Sequence, residues 1–561
     1  MNIVLLFFFV AAFAILIRLF MLQIVHHRTY SNLAAKQHSL VKELSSERGL
    51  IFLRDKKGEL IPLAFNKTWK TLIAAPKEIE NPEEASSFLA KVLERDHYEI
   101  AEKLSKKNDP HEIIAKKIDE PLTEKIEKRG IKGIFFEEEK RRLYPQGTMA
   151  AHAVGFVSKE VEGEKGRYGL ERFYDRELAG EKGFFEGAKD AAGFWIAIAK
   201  RIVKPPKNGA NLALTLDYNI QLKTEEVLKK IRGKWEASSG NILVLDPKTG
   251  RILALAAEPV FDPNEFAKEK DFSIFLNPVI ESRYELGSVL KPITMAAGLE
   301  EGLVKPETTY NDYGEIKFGS YTIRNFDGKA YYTQTMNQVL EKSLNTGAVY
   351  VARLLKHEKH LDYLERFGLN KKTGVDFPGE IAGDLSNLKS GRDINFATAS
   401  FGQGIAVTPL ELAVAIGAIA NGGQLMKPHI VEKIIDENGS EKLLEPEVRG
   451  RVISKETAET LTKMLISAVR NGFENRAGIK GYFVAGKTGT AQVPRREGRG
   501  YSDKVIHTFV GYAPAFDPKF LILLQLNEPK GNRFAANTLT PAFHDLAQYI
   551  LNYYEVPPDE K

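Results

Sequence analysis

Apolar and polar positions divide this chain into stretches of different period. The first has none. From Ile3 to Ile17 no side chain is charged or strongly polar, and after Arg18 the apolar run resumes from Leu19 to Val25, broken only by Gln23. About 20 apolar residues carry a helix across a bilayer, and a long basic side chain near one end snorkels to the interface. Residues 1–25 are therefore expected to form a transmembrane anchor. A cleaved signal peptide is the alternative, and three features oppose it: the charged n-region is missing, the apolar stretch is long, and no clear small-x-small site follows.

From about His26 to Asn208 short strand-like runs alternate with charged helical stretches. Trp69 to Ala75 reads as a strand, Glu84 to Leu93 as an amphipathic helix, and Glu112 to Ile118 as a second strand. Glu124 to Lys140 reads as a helix, a turn and an exposed strand. Lys204-Pro205-Pro206-Lys-Asn-Gly209 is a turn-rich boundary. After it Leu212-Ala-Leu-Thr-Leu216 alternates as a strand does, and a helix-like run starts at Ile220. Gly240 to Leu245, Asp246-Pro-Lys-Thr-Gly250 and Arg251 to Ala256 then read as strand, turn, strand. The expected division is an anchor at 1–25, an α+β domain at 26–210, a second domain at 211–553 and a disordered tail at 554–561.

With 561 residues, more than one core is expected. Hydrophobic content of 43% and charged content of 27% are those of a globular chain. The net charge of +5 is spread over interleaved Lys and Glu, so no nucleic-acid partner is expected. The absence of cysteine excludes disulfides, thiol nucleophiles and Cys-ligated metals. His152 has no carboxylate or second His at ligand spacing, so it reads as a packed histidine in a strand.

The candidate chemistry begins at Ser288 and Lys291, which share one helical face at a spacing of three. A serine hydroxyl needs an adjacent base. A lysine amine serves as one only if burial or a nearby cation lowers its pKa. The spacing alone is unspecific, since Ser39/Lys42 and Ser386/Lys389 repeat it. What distinguishes Ser288 is its setting, with Asn277-Pro278 upstream, Gly287 before it and Pro292 after Lys291. Two further motifs follow in order: Ser343-Leu-Asn345, expected on a loop between helices, and Lys487-Thr488-Gly489-Thr490, expected on an inward-facing strand.

In this order, and behind an apolar N-terminus, the three motifs resemble those of the penicillin-binding protein and serine β-lactamase superfamily. Two N-terminal patches narrow the resemblance to class B penicillin-binding proteins, whose membrane-proximal part is a non-catalytic pedestal of dimerisation type. One is Arg48-Gly49-Leu-Ile51 with Asp55-Lys-Lys-Gly58 and Ala64-Phe-Asn66, which departs from the family pattern by added residues and by Lys56 in place of Arg. The other runs from Arg142-Leu-Tyr144-Pro145-Gln-Gly147 through Ala151-His152 and Gly155-Phe156-Val157 to Gly169-Leu-Glu171. Leu286 is a departure as well, standing where the family often has proline. Phe401-Gly402-Gln403-Gly404, Thr408-Pro409 and Asn421-Gly422-Gly423 match as glycine-bearing turns shaping the cleft.

The resemblance implies an α/β (α+β) transpeptidase domain, with an antiparallel sheet flanked by helices, behind an elongated α+β pedestal. It implies a D,D-transpeptidase that cross-links peptidoglycan through a serine acyl-enzyme on D-Ala-D-Ala stem peptides and binds penicillin. Ser288 is then the nucleophile, Lys291 its base, and Ser343 the proton relay. Asn345 holds Lys291 and a substrate amide. Lys487, Thr488 and Thr490 hold the substrate carboxylate, Lys487 doubles as the cation beside Lys291, and Gly489 leaves room for the substrate backbone. The amides of Ser288 and Thr490 form the oxyanion hole. No metal or organic cofactor is expected. The implied partners are stem peptides, β-lactams, a multi-span membrane glycan polymerase and other division or elongation proteins.

The implied place is the plasma membrane of a bacterium, single-pass, with the enzyme outside. Local charge counting opposes this, because Arg28, Lys36 and Lys42 follow the span while only Met1 and Asn2 precede it. Large domains translocate largely regardless of such flanks. Two other readings stay open. A serine β-lactamase or β-lactam sensor on the same fold needs a base for water, and Glu365, one residue too far from Asn370 for the usual spacing, is the nearest candidate. A catalytically silent division scaffold would have no reason to keep all five polar motif residues.

Overall fold

A computed structural model describes residues 2–26, 39–106, 109–160, 163–188, 202–472, 475–495 and 500–560. Arg28 and Lys36 of the charge count, and the last tail residue Lys561, lie outside these. The chain forms two compact units, residues 1–49 with 176–210 and residues 50–175 with 211–561. In the first, the apolar N-terminus is a helix from Asn2 to Phe20 that continues as a π-helical turn to Val25. Phe7–Val25 is long and apolar enough to cross a membrane, and none of it is buried against protein. The same unit carries a three-stranded sheet in the order Ser39–Leu44, Gly183–Ala188, Ile202–Lys204.

The second unit is built on two sheets. The larger has seven strands, and its centre joins residues far apart in sequence: Asn211–Asp217 pairs in parallel with Ile51–Arg54 and antiparallel with Val431–Ile435. Residues 50–175 thus share a compact unit with the C-terminal part, although the expected division set them apart at 210. The long strand Leu60–Ala74 extends this sheet toward Glu112–Ile118 and Ile134–Leu143. Against them pack the helices Pro82–Leu93, His97–Leu104 and Glu120–Glu127, around Leu72, Leu89, Ile100 and Ile126.

The smaller sheet is antiparallel, in the order Ile252–Glu258, Ser239–Leu245, Phe520–Asn527, Tyr501–Ala513, Ala485–Pro494. Its central strand, Phe-Leu-Ile-Leu-Leu-Gln-Leu, is buried on both faces, which explains a continuous apolar run where a half-exposed strand would alternate. One set of alternate residues, including Ile522 and Leu524, packs on the helices Tyr218–Lys234 and Thr540–Tyr553. The helix Pro409–Ala420 packs against the strands Ser239–Leu245 and Phe520–Asn527 and is almost wholly apolar, as a helix buried on every side must be. Thr408 and Glu411 close a capping box at its start, with Pro409 as the first helical residue, which is what Thr408-Pro409 does structurally.

Two expectations change here. His152 lies in the short helix Ala151–Val154, not a strand, where its Nε2 meets the Ile274 carbonyl at 3.0 Å and burial lowers its pKa to about 4. The tail is docked, not disordered. Tyr482 donates to the Val556 carbonyl, the Phe483 amide to Asp559, and the Glu560 amide to the Gly481 carbonyl. Charged, proline-bearing composition suggests a free end, and only the fold supplies the strand approach that captures it.

Candidate active site

Ser288 and Lys291 sit on one continuous piece of backbone. Gly287–Leu290 forms a single 3-10 turn that runs directly into the helix Lys291–Glu300. Ser288 was expected to share a face of one helix with Lys291; the α-helix proper begins three residues after Ser288, at Lys291. The tighter turn serves the same end, because side chains three apart eclipse in it.

Two close approaches fix this turn. Gly287 has φ +59°, a left-handed conformation that side chains resist, and its amide donates to the Gly402 carbonyl at 2.9 Å. Opposite, the strand Ala485–Pro494 runs so near that a Cβ on Gly489 would stand 2.8 Å from the Leu286 carbonyl oxygen. The nucleophile turn thus fills the space left by the missing side chain of Gly489.

The second motif supplies the hub. Ser343 lies between the helices Met336–Glu341 and Asn345–Arg366 with φ +56°, an unusual backbone for a serine. In that conformation Lys291 Nζ donates to both the carbonyl oxygen and Oγ of Ser343, at 2.5 and 3.2 Å. Lys487 Nζ reaches the same Oγ at 3.0 Å and the Thr488 carbonyl at 3.2 Å. Along this strand side chains alternate faces, so Lys487 and Gly489 are buried while Thr488 and Thr490 line the cleft. Lys487 was expected to hold the substrate carboxylate together with the two threonines; its amine instead lies behind them, on Ser343.

Both lysines are 1% exposed. Burial, and secondarily the charge of Lys487, holds Lys291 well below the ordinary lysine range. Burial alone brings Lys487 down to about 7. A hydroxyl flanked by two amines that burial holds below the ordinary lysine range is an arrangement for proton transfer.

Ser288, Ser343, Asn345, Thr488 and Thr490 line one cleft of ≈ 1440 Å³. Asn345 does not bond Lys291 among the described residues. Its Nδ2 donates to the Arg324 carbonyl at 2.9 Å, which leaves its Oδ1 to accept from a ligand. The helix start at Asn345 is pinned by residues the sequence reading passed over. Asn325 Oδ1 accepts from the Asn345 amide at 3.0 Å, and Asn325 Nδ2 donates to Asp312 Oδ2 at 2.8 Å. Thr346 Oγ1 donates to Asp312 Oδ1 at 2.8 Å, and the Tyr331 amide donates to Oδ2 at 3.1 Å. Asp312 is fully buried. Its only local signal is the Asn-Asp-Tyr-Gly turn it opens, with the Gly314 amide on its Oδ1.

Residues 240–548 match the penicillin-binding protein transpeptidase domain, and residues 43–214 match the penicillin-binding protein dimerisation domain. Stage V sporulation protein D of Bacillus subtilis is 32% identical over 548 residues, covering 96% of this chain and 83% of that protein. The chain belongs to the class B penicillin-binding proteins. Peptidoglycan D,D-transpeptidase FtsI of Escherichia coli is 30% identical, covering 92% of this chain and 86% of its own length. Penicillin-binding protein 3 of Mycobacterium tuberculosis, crystallised with aztreonam, superposes with a TM-score of 0.71 at 26% identity, over 92% of this chain and 98% of that one.

Within this penicillin-binding protein the β-lactamase-type base finds no support. Glu365 is near the end of the helix Asn345–Arg366, bonded to Asn370 Nδ2 at 2.9 Å, and it does not line the cleft. Of the accessory turns, Gln403 lines the cleft, whereas Asn421-Gly422-Gly423 only terminates the helix Pro409–Ala420. Phe326 and Phe534, both exposed, meet edge to face at the cleft with ring centres 5.7 Å apart.

Proposed function

We propose that this protein is a serine D,D-transpeptidase that cross-links peptidoglycan outside the plasma membrane and is acylated by β-lactams. Membership of the family, a relative named as a peptidoglycan D,D-transpeptidase and a neighbour crystallised with aztreonam support the reaction class. The observation that carries the mechanism is the Ser343 hydroxyl held between the buried amines of Lys291 and Lys487, beside Ser288.

Lys291, whose neutral form burial favours, takes the proton of Ser288 Oγ as that oxygen attacks the penultimate D-alanine carbonyl. The amides of Ser288 and Thr490 receive the oxyanion. The hydroxyls of Thr488 and Thr490 bind the terminal carboxylate, with the charge of Lys487 behind them. Collapse breaks the C–N bond, and the proton returns from Lys291 through Ser343 to the departing D-alanine amine. An amine of a second stem peptide then attacks the ester, forms the new amide and restores Ser288. In this reading residues 1–25 anchor the chain, residues within 211–553 carry the reaction, and a multi-span polymerase supplies the glycan.

The test is fluorescent-penicillin labelling of the detergent-solubilised chain with mass-spectrometric mapping. A stable adduct on Ser288, absent from Ser288→Ala and decaying over hours, is the expected result. An adduct on another residue, or rapid release of hydrolysed drug, overturns the reading.

A further inference from the structure

A short antiparallel ladder, Thr309–Asp312 with Tyr332–Thr335, stands beside the cleft, which Tyr331 just ahead of its second strand helps to line. Residues directly opposite in such a ladder point to the same face. Burial obeys that rule at Tyr310 with Gln334, both buried, and at Asn311 with Thr333, both exposed. It fails at the last pair. Asp312 is fully buried, while Tyr332 opposite it is 70% exposed. Tyr332 has φ +55°, and this left-handed backbone takes its side chain out of the alternation.

That conformation is costly for a residue with a Cβ, and the ring recovers nothing inside the protein. Among the described residues Tyr332 meets no side-chain hydrogen-bond partner, ring or cation. Tyr313, which follows Asp312 on the paired strand, is 71% exposed and equally without a partner among them. The Asp312 carboxylate holds the arrangement. It accepts from the Tyr331 amide, from Asn325 Nδ2 and from Thr346 Oγ1, so one anchor fixes both the second motif and the strand from which Tyr332 turns out. On the outer face Thr333 Oγ1 donates to Asn311 Oδ1 at 3.2 Å, which leaves Asn311 Nδ2 as a donor for a ligand.

These four exposed side chains, Asn311, Tyr313, Tyr332 and Thr333, carry no charge. Two amphipathic rings beside an amide suit a sugar: the C–H face of a hexose packs on a ring, while its hydroxyl and acetamido groups take hydrogen bonds. Position selects the sugar, since the stem peptides of peptidoglycan hang from a glycan strand. A strand whose peptide enters the cleft has its sugars at the rim, where the ladder stands. We propose that Tyr313 and Tyr332 form a docking surface for the glycan strand of peptidoglycan. The choice of ligand rests on the transpeptidase reading.

The experiment uses the full chain in detergent, with Ser288 first acylated by penicillin so that the cleft is occupied. A peptide-free tetrasaccharide of β-linked N-acetylhexosamines is then titrated and followed by ligand-observed NMR. Binding should persist on the acylated chain. Tyr332→Gly, which keeps the backbone and removes the ring, and Tyr313→Ser should each weaken it about fivefold, the scale of one ring contact. Tyr332→Phe should bind as the native chain does. The melting temperature of Tyr332→Gly should not fall, because glycine adopts this backbone freely; a marked fall would make the ring structural and overturn the proposal. Binding that acylation abolishes would place the sugar in the cleft, and binding that neither variant weakens would place it elsewhere; each overturns the surface. So does self-association of the native chain that Tyr332→Gly abolishes, with no sugar bound, which would assign the rings to a second copy. If penicillin leaves Ser288 unlabelled, the transpeptidase reading falls, and the same titration of the unlabelled chain still decides whether the rings bind sugar.

Discussion

Two buried charge clusters in the same compact unit solve opposite problems. In the pedestal part, Arg142 and Glu171 have side chains 2% and 0% exposed and meet at 2.7 Å. Asn66 accepts from the same guanidinium and Tyr144 donates to the same carboxylate. In the cleft, Lys291 and Lys487 are buried just as deeply, and their common partner is the neutral hydroxyl of Ser343. A buried charge that meets its opposite keeps its ordinary protonation state and serves as architecture. A buried charge facing its own sign is pushed toward losing its proton, which is the state a general base requires. Depth of burial therefore does not by itself separate structural from chemical residues in this protein: Arg142 and Glu171 offset each other's charge, whereas the two lysines are shifted mainly by burial, with Lys487 adding to the shift of Lys291.

That contrast can be broken at either end. The largest effect is expected for Lys291→Met, which should slow penicillin acylation by about 10³-fold or more, on the scale of losing a general base and the geometry tied to it. Its melting temperature should hold or rise, because a buried amine is removed; a marked fall would make Lys291 structural. Arg142→Met should do the reverse. It leaves the Glu171 carboxylate buried without that partner and should cost about 3–5 kcal/mol in denaturant unfolding, while acylation by the folded fraction stays within about twofold of the native rate, as expected for residues that do not line the cleft. A specific loss of acylation would join the two clusters functionally.

The smallest and sharpest effect is in pH. Acylation needs neutral Lys291, so its rate should rise with pH and level off well below the ordinary lysine range. Lys487 raises the energy of the protonated form of Lys291. Lys487→Gln removes that repulsion, so Lys291 keeps its proton to higher pH and the rising limb should move in the alkaline direction. Movement toward acid would show that the like-charge interaction is not what tunes the base.

Much of this was legible in the chain. The apolar N-terminus, the hairpin at 240–256, the strand carrying Lys487 and the helix Pro82–Leu93 follow from local period and capping, which neighbours in sequence determine. The order of the three motifs likewise pointed to the residues that line one cleft. What composition misjudged was the tail, since its partners at 481–483 and at Lys56 are remote in sequence.

The sequence by itself determined which side chains are available and that Ser288 and Lys291 share a face. Only the tertiary structure decided what those side chains are to one another. The strand pleat turns Lys487 toward Ser343 and Thr488 toward the cleft. The packing of Val289 and Leu286 against the strand makes Gly489 a contact for the nucleophile turn. Asp312 and Asn325 anchor the second motif across gaps of 34 and 20 residues. The reason is the same each time: pKa, hydrogen-bond partner and steric room are set by atoms within a few ångströms in space, and the chain reveals such neighbours only where they are also close in sequence.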